Sequence, residues 1–468
     1  MANISKKEIF ESLPVPKALA KMAIPTVISQ LINLIYNMVD AFFIGRTGNS
    51  YMMAATTVAL TLMMLNVAFS NLFGIGGGSL VSRLLGRGET DSARSTSAFS
   101  CYGAIATAIL YSLFIGFFSD PVLRFLGASD ATVGYAERYT FFVIVLGSLP
   151  TLLSLTLAHL LRNTGYSSRA SFGLSLGGIL NIALDPLFMF VIFPPGNEVV
   201  GAAVATLISN TVGLIYLLFA YVSASQTAPL SFDPRLAKKI GKGNLKQLFS
   251  VGIPSAILTA LFDVASICVN ILSSAHNDLV LAGMGIVMKV ERIPNAVNIG
   301  LCQGMLPIVA YNYASGNRKR MNDTIRTARL FGLTVSAVCI LALEIFAKTV
   351  CGVFLSTSAG DAETAALTVS LATLYLRIRC IASPFQFINY HTSFCMQAMG
   401  KGKETLLHAA VRELVFYIPL MFLLDRLFGD TGLASALPAG EALGALFAIF
   451  LFTFIVQKSP AKKSKGET

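Results

Sequence analysis

Long apolar segments recur along the whole chain and constrain its fold more than any other feature. A helix that crosses a bilayer needs about 20 mostly apolar residues, and twelve stretches of the 468-residue sequence reach that length. Only 13% of the residues are charged, against about 25% in a typical soluble domain. Because the period-two alternation of a transmembrane β-barrel is missing from these stretches, we predict an all-α integral membrane protein. The predicted spans are Val15–Phe43, Met52–Ser79, Ala93–Phe118, Tyr135–Leu161, Ser168–Phe193, Val200–Ser223, Leu245–Ser273, Leu279–Tyr311, Thr324–Phe346, Ala365–Met396, Thr405–Phe428 and Ala436–Val456.

The basic residues predict the orientation of these spans. Lys and Arg are concentrated at both ends of the chain and in the loops that follow even-numbered spans. By the positive-inside rule, both termini and these loops face the cytoplasm. The net charge of +11 is spread thinly over the loops and forms no basic domain, which argues against a nucleic-acid partner. Three histidines near the cytoplasmic ends of spans, His159, His391 and His408, are predicted to be interfacial.

Proline and leucine motifs repeat between the two halves of the chain. Lys17-x-Leu-x-x-x-x-Ile-Pro25 returns as Lys246-x-Leu-x-x-x-x-Ile-Pro254, and Pro186-Leu187 returns as Pro419-Leu420. The offset of about 230 residues, with the same helix order and orientation, is typical of a parallel repeat about an axis along the membrane normal. We therefore predict two six-helix lobes related by pseudo-twofold symmetry. The predicted N-lobe is 1–225, the cytoplasmic linker 226–244, the C-lobe 245–458 and a basic cytoplasmic tail 459–468.

Two aspartates, Asp40 and Asp185, lie inside apolar spans of the first half. A carboxylate at bilayer depth costs about 2.5–3.5 kcal/mol on insertion scales, so it is rare without a function. The repeat puts Val269 opposite Asp40 and Ile418 near the position of Asp185, which favours a site over a scaffold role. Asn181 lies four residues before Asp185 and shares its helix face. Since two close carboxylates in low dielectric cannot both ionise at low cost, the pair would suit a proton, or sodium with the help of neighbouring oxygens.

Several motifs together resemble those of the multidrug and toxic compound extrusion (MATE) family, over essentially the whole chain. They are Val39-Asp-Ala-Phe-Phe-Ile-Gly45, Gly74-Ile-Gly-Gly-Gly-Ser79, Arg162-Asn-Thr-Gly165 and Asn181-Ile-Ala-Leu-Asp-Pro186. The sequence is most similar to the bacterial branch of DinF-like and MepA-like exporters, which implies a multi-pass protein of the bacterial inner membrane.

The resemblance also implies functional residues. In that branch a cation-linked network joins the first, fifth and sixth helices, at positions that match Asp40, Asn181, Asp185 and Thr206. The family's other cation site uses acids of the seventh and tenth helices. Here the tenth span has Arg377 and Arg379 and no acid, so we expect coupling to protons.

Polar and methionine side chains in several spans are candidates for a substrate cavity, because flexible methionines tolerate many ligand shapes. Glu291 and Arg292 would either line this cavity or pair internally as a structural lock. Asp263 would either pair with Arg377 or attract cationic compounds. The predicted substrate-binding residues are Asn33, Tyr36, Asn37, Met63, Asp263, Met288, Glu291 and Arg292.

The predicted function is secondary active export of organic, mostly cationic and amphipathic compounds by proton antiport, with alternating access between the lobes. The alternatives are a flippase of a lipid-linked precursor and a sodium-coupled exporter of a specialised metabolite. No phosphate loop is present, since Gly74-Ile-Gly-Gly-Gly-Ser79 lacks the following Gly-Lys-Ser/Thr. We therefore expect no cofactor beyond the proton or sodium gradient, no enzymatic activity, and a monomer whose partners are small organic molecules and membrane lipids.

Overall fold

The first half of the protein is built of long helices joined by short turns. The computed structural model describes residues 6–355 and 362–456, which contain helices and no strand. Four of the six predicted spans of the first half fall within single helices, the fourth crosses a break at Gly147, and the fifth ends one residue past a helical segment. Wider π-helical turns, Phe141–Leu146 and Phe188–Ile192, extend α5 and α7. Helical backbone of this kind satisfies its own hydrogen bonds in lipid. These helices are α1 (Lys6–Glu11), α2 (Val15–Arg46), α3 (Ser50–Gly86), α4 (Thr90–Phe125), α5 (Asp130–Thr140), α6 (Ser148–Asn163), α7 (Ser167–Leu187) and α8 (Glu198–Ser225).

The second half repeats this order after a short connecting helix. The connection packs along the first half, where the Tyr102 hydroxyl donates to the Phe232 carbonyl at 3.0 Å. The predicted tail 459–468 lies outside the described residues. The helices are α9 (Pro234–Ala237), α10 (Lys242–His276), α11 (Asp278–Ala314), α12 (Arg318–Leu355), α13 (Ala362–Cys380), α14 (Ser383–Ala398), α15 (Gly402–Ala410) and α16 (Ile418–Phe450).

Bent and broken helices account for the number of spans. In the described ranges nine helices are long and apolar enough to cross a membrane. Two further spans are bent pairs: α5 with α6 at 46°, and α13 with α14 at 48°. The stretch Gly402–Phe454 has 53 residues, which at about 1.5 Å per residue is more than twice the thickness of the hydrocarbon core. It breaks at Gly429, where φ is +64°, into an eleventh and a twelfth span. The equal bends of the fourth and tenth spans follow the predicted repeat.

The two lobes touch at one end of the bundle, where the turns after α3, α6, α8, α11 and α14 lie. We call this the basic end. Glycines allow backbone to meet backbone here: a Cβ on Gly304 of α11 would lie 2.5 Å from Cα of Ala23 in α2, and one on Gly252 of α10 would lie 2.1 Å from the Leu72 carbonyl oxygen in α3. Such small-residue contacts pack membrane helices closely. The lobes are therefore pressed together on the basic side of the cavity between them.

Two arginines reinforce the contact at the basic end. Arg83 of α3, which is 2% exposed, donates to the carbonyl oxygens of Gln397 and Ala398, each at 3.2 Å. These carbonyls belong to the last turn of α14, where free acceptors and the helix dipole favour a cation. Arg320 of α12 donates to three carbonyl oxygens around the end of α1, including that of Phe10 at 2.6 Å. The first helix is thus fixed to the second half.

Candidate functional site

Small residues bring α7 close to both α2 and α8. A Cβ on Gly178 would lie 3.2 Å from Cγ2 of Ile32 in α2, and one on Gly177 would lie 3.2 Å from the Ser209 carbonyl oxygen in α8. Larger side chains at these two positions would push the three helices apart. This packing brings polar side chains of α7 and α8 together in an otherwise apolar lobe.

Asn181 of α7 connects two other predicted site residues. Its Nδ2 donates to Oδ1 of Asp185 at 3.0 Å and to Oγ1 of Thr206 at 3.2 Å. All three side chains are at most 4% exposed. Within the part of the chain that the structure describes, Oδ2 of Asp185 and Oδ1 of Asn181 are buried and have no hydrogen-bond partner.

The fourth predicted residue, Asp40 of α2, belongs to the same group. Its carboxylate interacts electrostatically with that of Asp185. Its Oδ1 is also buried, without a hydrogen-bond partner among the described residues. Tyr36 and Tyr139 lie within electrostatic reach of both carboxylates. The structure therefore brings Asp40, Asn181, Asp185 and Thr206 together, and adds Tyr139, which the sequence did not single out.

The two carboxylates of this site have no cationic partner. No Lys, Arg or His in the described ranges forms an ion pair with Asp40 or Asp185. Buried charges are costly unless they are paired or neutralised. The three unpartnered oxygens, on Asp40, Asp185 and Asn181, can take up protons or ligate a small cation that prefers oxygen.

A cavity of 470 Å³ lies between the lobes, next to this site. Asn181 and Thr206 line the cavity, whereas Asp40 and Asp185 do not. Asn181 therefore stands at the boundary between the acidic group and the cavity. Five predicted substrate-binding residues line it as well: Asn33, Tyr36, Asn37, Met63 and Arg292.

Two predicted substrate-binding residues lie elsewhere in the second half. Met288 packs against an apolar cluster of that half. Glu291 forms an ion pair with Arg379, at 2.7 Å, and Arg379 is 3% exposed. Neither lines the cavity, and the ion pair corresponds to the internal lock considered as one alternative. The side chain of Asp263 lies outside the described part of the structure, and Arg377 faces Glu344 at 3.6 Å.

The sequence matches one family model twice, once in each half. The model, described as MatE, covers residues 25–187 and 254–423, which is more than half of the chain. The chain belongs to the MatE family. The two matched segments begin 229 residues apart and end 236 residues apart, close to the offset of about 230 residues between the repeated motifs.

Relatives and solved structures of similar proteins cover nearly the whole of this MatE chain. Multidrug export protein MepA of Staphylococcus aureus (strain MRSA252) is 30% identical over 442 residues, 94% of each chain. MepA of Staphylococcus saprophyticus is 28% identical over 457 residues, 97% of each. A crystal structure of MATE in complex with MaL6 has a TM-score of 0.89 at 19% identity, covering 96% of this chain and 97% of the other. An outward-facing multidrug resistance MATE transporter of the MOP superfamily has a TM-score of 0.86 at 20% identity, with the same coverage. The fold is that of the MATE transporters, in a multi-pass membrane protein.

The MatE fold also buries charged residues in the second half that sequence reasoning missed. Arg412 and Glu413 line the cavity, and Glu441 of α16 lies behind them. All three are at most 2% exposed. The sequence does contain an indication of these residues. An Arg-Glu pair in the eleventh span and a Glu in the twelfth are charged residues within apolar spans, so they carry an insertion cost like that of Asp40.

The histidines also differ from the prediction. His159, His391 and His408 are 8%, 1% and 0% exposed, buried within the protein instead of facing the membrane interface. His408 bonds to Ser393 at 2.9 Å and to Asn389 at 3.1 Å, which places it beside the charged residues of the second half.

Proposed function

We propose that this MatE protein exports organic cations by exchanging them for protons at the site formed by Asp40, Asn181, Asp185 and Thr206. The observation that carries the proposal is the buried Asp185 and the part-buried Asp40, which have no cationic partner among the described residues, next to a cavity large enough for a small organic molecule. The similarity to proteins named as multidrug export proteins supports export of drug molecules.

The exchange follows from charge balance. With both carboxylates ionised, the N-lobe contains two buried negative charges, which favour a proton or another cation. Taking up protons removes this charge, lets α2 repack near Pro25 and lowers the affinity of the cavity for a cation. Asn181, which contacts Asp185 and also lines the cavity, is suited to couple the two events.

The contacts between the lobes support a state that is closed on the basic side. The inter-lobe hydrogen bonds of Gln30 to Gln303, Asn71 to Thr259 and Arg83 to α14 all lie in the half of the bundle nearer the basic end. With the basic end in the cytoplasm, as the positive-inside rule predicts, the cavity would open outwards. Alternating access would then require these contacts to separate.

Reconstituted transport tests the proposal. Four purified proteins are placed in liposomes with an imposed pH gradient: the wild type, Asp40→Asn, Asp185→Asn and the control Asp130→Asn. Asp130 is a suitable control because its side chain is 92% exposed. We expect ethidium exchange in the wild type and the control, and none in the two site variants. Exchange driven by a sodium gradient alone and indifferent to pH would establish the sodium-coupled alternative. It would be supported physically by the three oxygens without partners.

A flippase of a lipid-linked precursor has less support from the cavity wall. A phosphate-bearing cargo calls for cations that are free of counter-charges. Among the side chains that the structure describes, the charged residues of the lining are Arg292, Arg412 and Glu413, and Arg412 is already paired with Glu441.

A further inference from the structure

A second charged group lies in the wall of the cavity that the C-lobe provides. Arg412 holds Glu441 through two hydrogen bonds, Nε to Oε2 at 3.0 Å and Nη2 to Oε1 at 2.5 Å. The Glu441 carboxylate also accepts from Nδ2 of Asn389 at 2.6 Å. Such a bidentate interaction between a guanidinium and a carboxylate is strong, so Glu441 is the main ion-pair partner of Arg412.

Glu413 is left without a partner of this kind. Oε1 of Glu413 lies 3.5 Å from Nε of Arg412, and that Nε donates its hydrogen to Glu441. No residue that the structure describes donates a hydrogen bond to the Glu413 carboxylate, although the side chain is 2% exposed and lines the cavity. One guanidinium faces two carboxylates, so the group carries a net negative charge when both carboxylates are ionised.

The neighbours of this group do not supply the missing positive charge. Both ring nitrogens of His408 are engaged by other groups, Nδ1 by the Ser393 hydroxyl and Nε2 by Oδ1 of Asn389. Arg379, the other buried cation nearby, is paired with Glu291. Arg292 lines the cavity from α11, and its side chain is exposed.

An aromatic ring, that of Tyr390, lies near the Glu413 carboxylate. Tyr390 and Phe394 of α14 line the same cavity. Tyr390 interacts electrostatically with Glu413, and the Arg412 guanidinium lies 5.1 Å from the centre of its ring. A carboxylate next to aromatic faces is the combination that binds a lipophilic organic cation, by charge and by cation–π contact.

We propose that Glu413 is the carboxylate that binds the positively charged group of exported organic cations, on the wall of the cavity opposite the Asp40–Asp185 site. This inference rests on the proposed function, since it assigns the cargo a place in the same cavity. It separates two tasks: the N-lobe acids bind the coupling proton, and the C-lobe acid binds the cargo. Arg412 acts as a positioning residue that holds Glu441 and leaves Glu413 free.

Ethidium binding to purified protein tests the assignment. Fluorescence anisotropy gives the Kd of ethidium for the wild type and for Glu413→Gln, Glu413→Asp and the control Glu404→Gln. The Glu404 carboxylate lies at the basic end of the same span, 4.0 Å from Lys401. We expect Glu413→Gln to weaken binding roughly tenfold or more, since losing one partner of a buried charge pair usually costs at least that factor. Glu413→Asp should bind with an intermediate Kd, and Glu404→Gln like the wild type.

The melting temperature separates this role from a structural one. The Arg412–Glu441 pair stays intact in Glu413→Gln, so the variant should melt within a few degrees of the wild type while its Kd rises. A Kd for Glu413→Gln within twofold of the wild type would overturn the inference and leave the proposed function standing. If wild-type protein itself binds no ethidium, both fail. Should Glu413→Gln not be recovered folded, a wild-type Kd for Glu413→Asp would also overturn the assignment.

Discussion

At the scale of single residues, Asn181 joins the acidic site to the cavity. Its amide nitrogen donates hydrogen bonds to both Asp185 and Thr206, and its side chain also lines the cavity. A change in the charge of Asp185 therefore acts on a hydrogen-bond partner that also lines the cavity. The contact with Asp185 follows from the four-residue spacing on one helix face, and the sequence could predict it. The contact with Thr206 depends on how α7 packs against α8 at Gly177, which no local pattern shows.

Thr206→Val is expected to slow proton-driven ethidium exchange without abolishing it. Valine keeps the shape of threonine and removes the hydroxyl that accepts from Asn181. A buried hydrogen bond contributes about 1 kcal/mol net, so exchange should fall roughly fivefold. Thr206→Ser keeps the hydroxyl and serves as the control. Equal rates for the valine variant and the wild type would show that the contact plays no part in exchange.

The buried charged residues of the C-lobe were not predicted from the sequence. Comparing the halves drew attention to Val269 and Ile418, the counterparts of the N-lobe aspartates, which are apolar. The acids of the second half lie at other positions, Glu413 and Glu441, so the comparison passed over them. Which of the two carboxylates Arg412 binds is a matter of rotamers and packing, and only the structure decides it.

At the scale of elements, the length of the apolar segments predicted where the spans lie, but not where the helices bend or end. Predicted ends fall short of the helices where these continue past the hydrocarbon core, as in α3, which runs on to Gly86. The predicted end at Phe118 coincides with a residue of non-helical backbone inside α4. The bends of the fourth and tenth spans lie at Gly147, shortly before Pro150, and just before Pro384, so local residues that favour a break were present in the sequence there too.

Gly304→Ala is expected to destabilise the closed basic end. The added Cβ would lie 2.5 Å from Cα and 2.7 Å from N of Ala23, and backbone atoms cannot rotate out of the way. The helices α2 and α11 would have to separate, which lowers the melting temperature of the purified protein by several degrees. Gly285→Ala, on the same helix with nothing within 4 Å, is the matched control and should melt at or slightly above the wild type. A wild-type melting temperature for Gly304→Ala would contradict the close approach of the lobes.

At the scale of the whole molecule, two lobes with one scaffold differ in their charges. Among the described residues, no cation pairs with the two N-lobe carboxylates, Asp40 and Asp185, whereas C-lobe carboxylates pair with Arg379 and Arg412. The repeat of proline and glycine motifs predicted the common scaffold. The difference in charge pairing could be predicted only in part, because pairing depends on which spans meet.

The orientation in the membrane can be tested on single exposed positions at the two ends of the bundle. The variant Asp130→Cys places a cysteine at the end opposite the basic end. The variant Lys319→Cys places one in the first turn of α12, at the basic end. In right-side-out vesicles, a membrane-impermeant maleimide should label the first variant directly and the second only after detergent. Wild-type protein gives the background from its seven native cysteines. The reverse pattern would place both termini outside.

The glycine contacts at the basic end have a consequence for the speed of the conformational cycle. At Gly304 and Gly252, backbone of one lobe faces backbone of the other. Beside these glycines, apolar side chains cross the contact: Leu248 and Phe249 of α10 pack in the N-lobe cluster, and Ile75 of α3 packs in a cluster of the second half. If the lobes part as proposed, this apolar surface is exposed at the same time as polar contacts such as Arg83 to α14 are broken. The rate of opening would then depend on apolar burial as well as on hydrogen bonds, and a substitution of either kind at the basic end would change it.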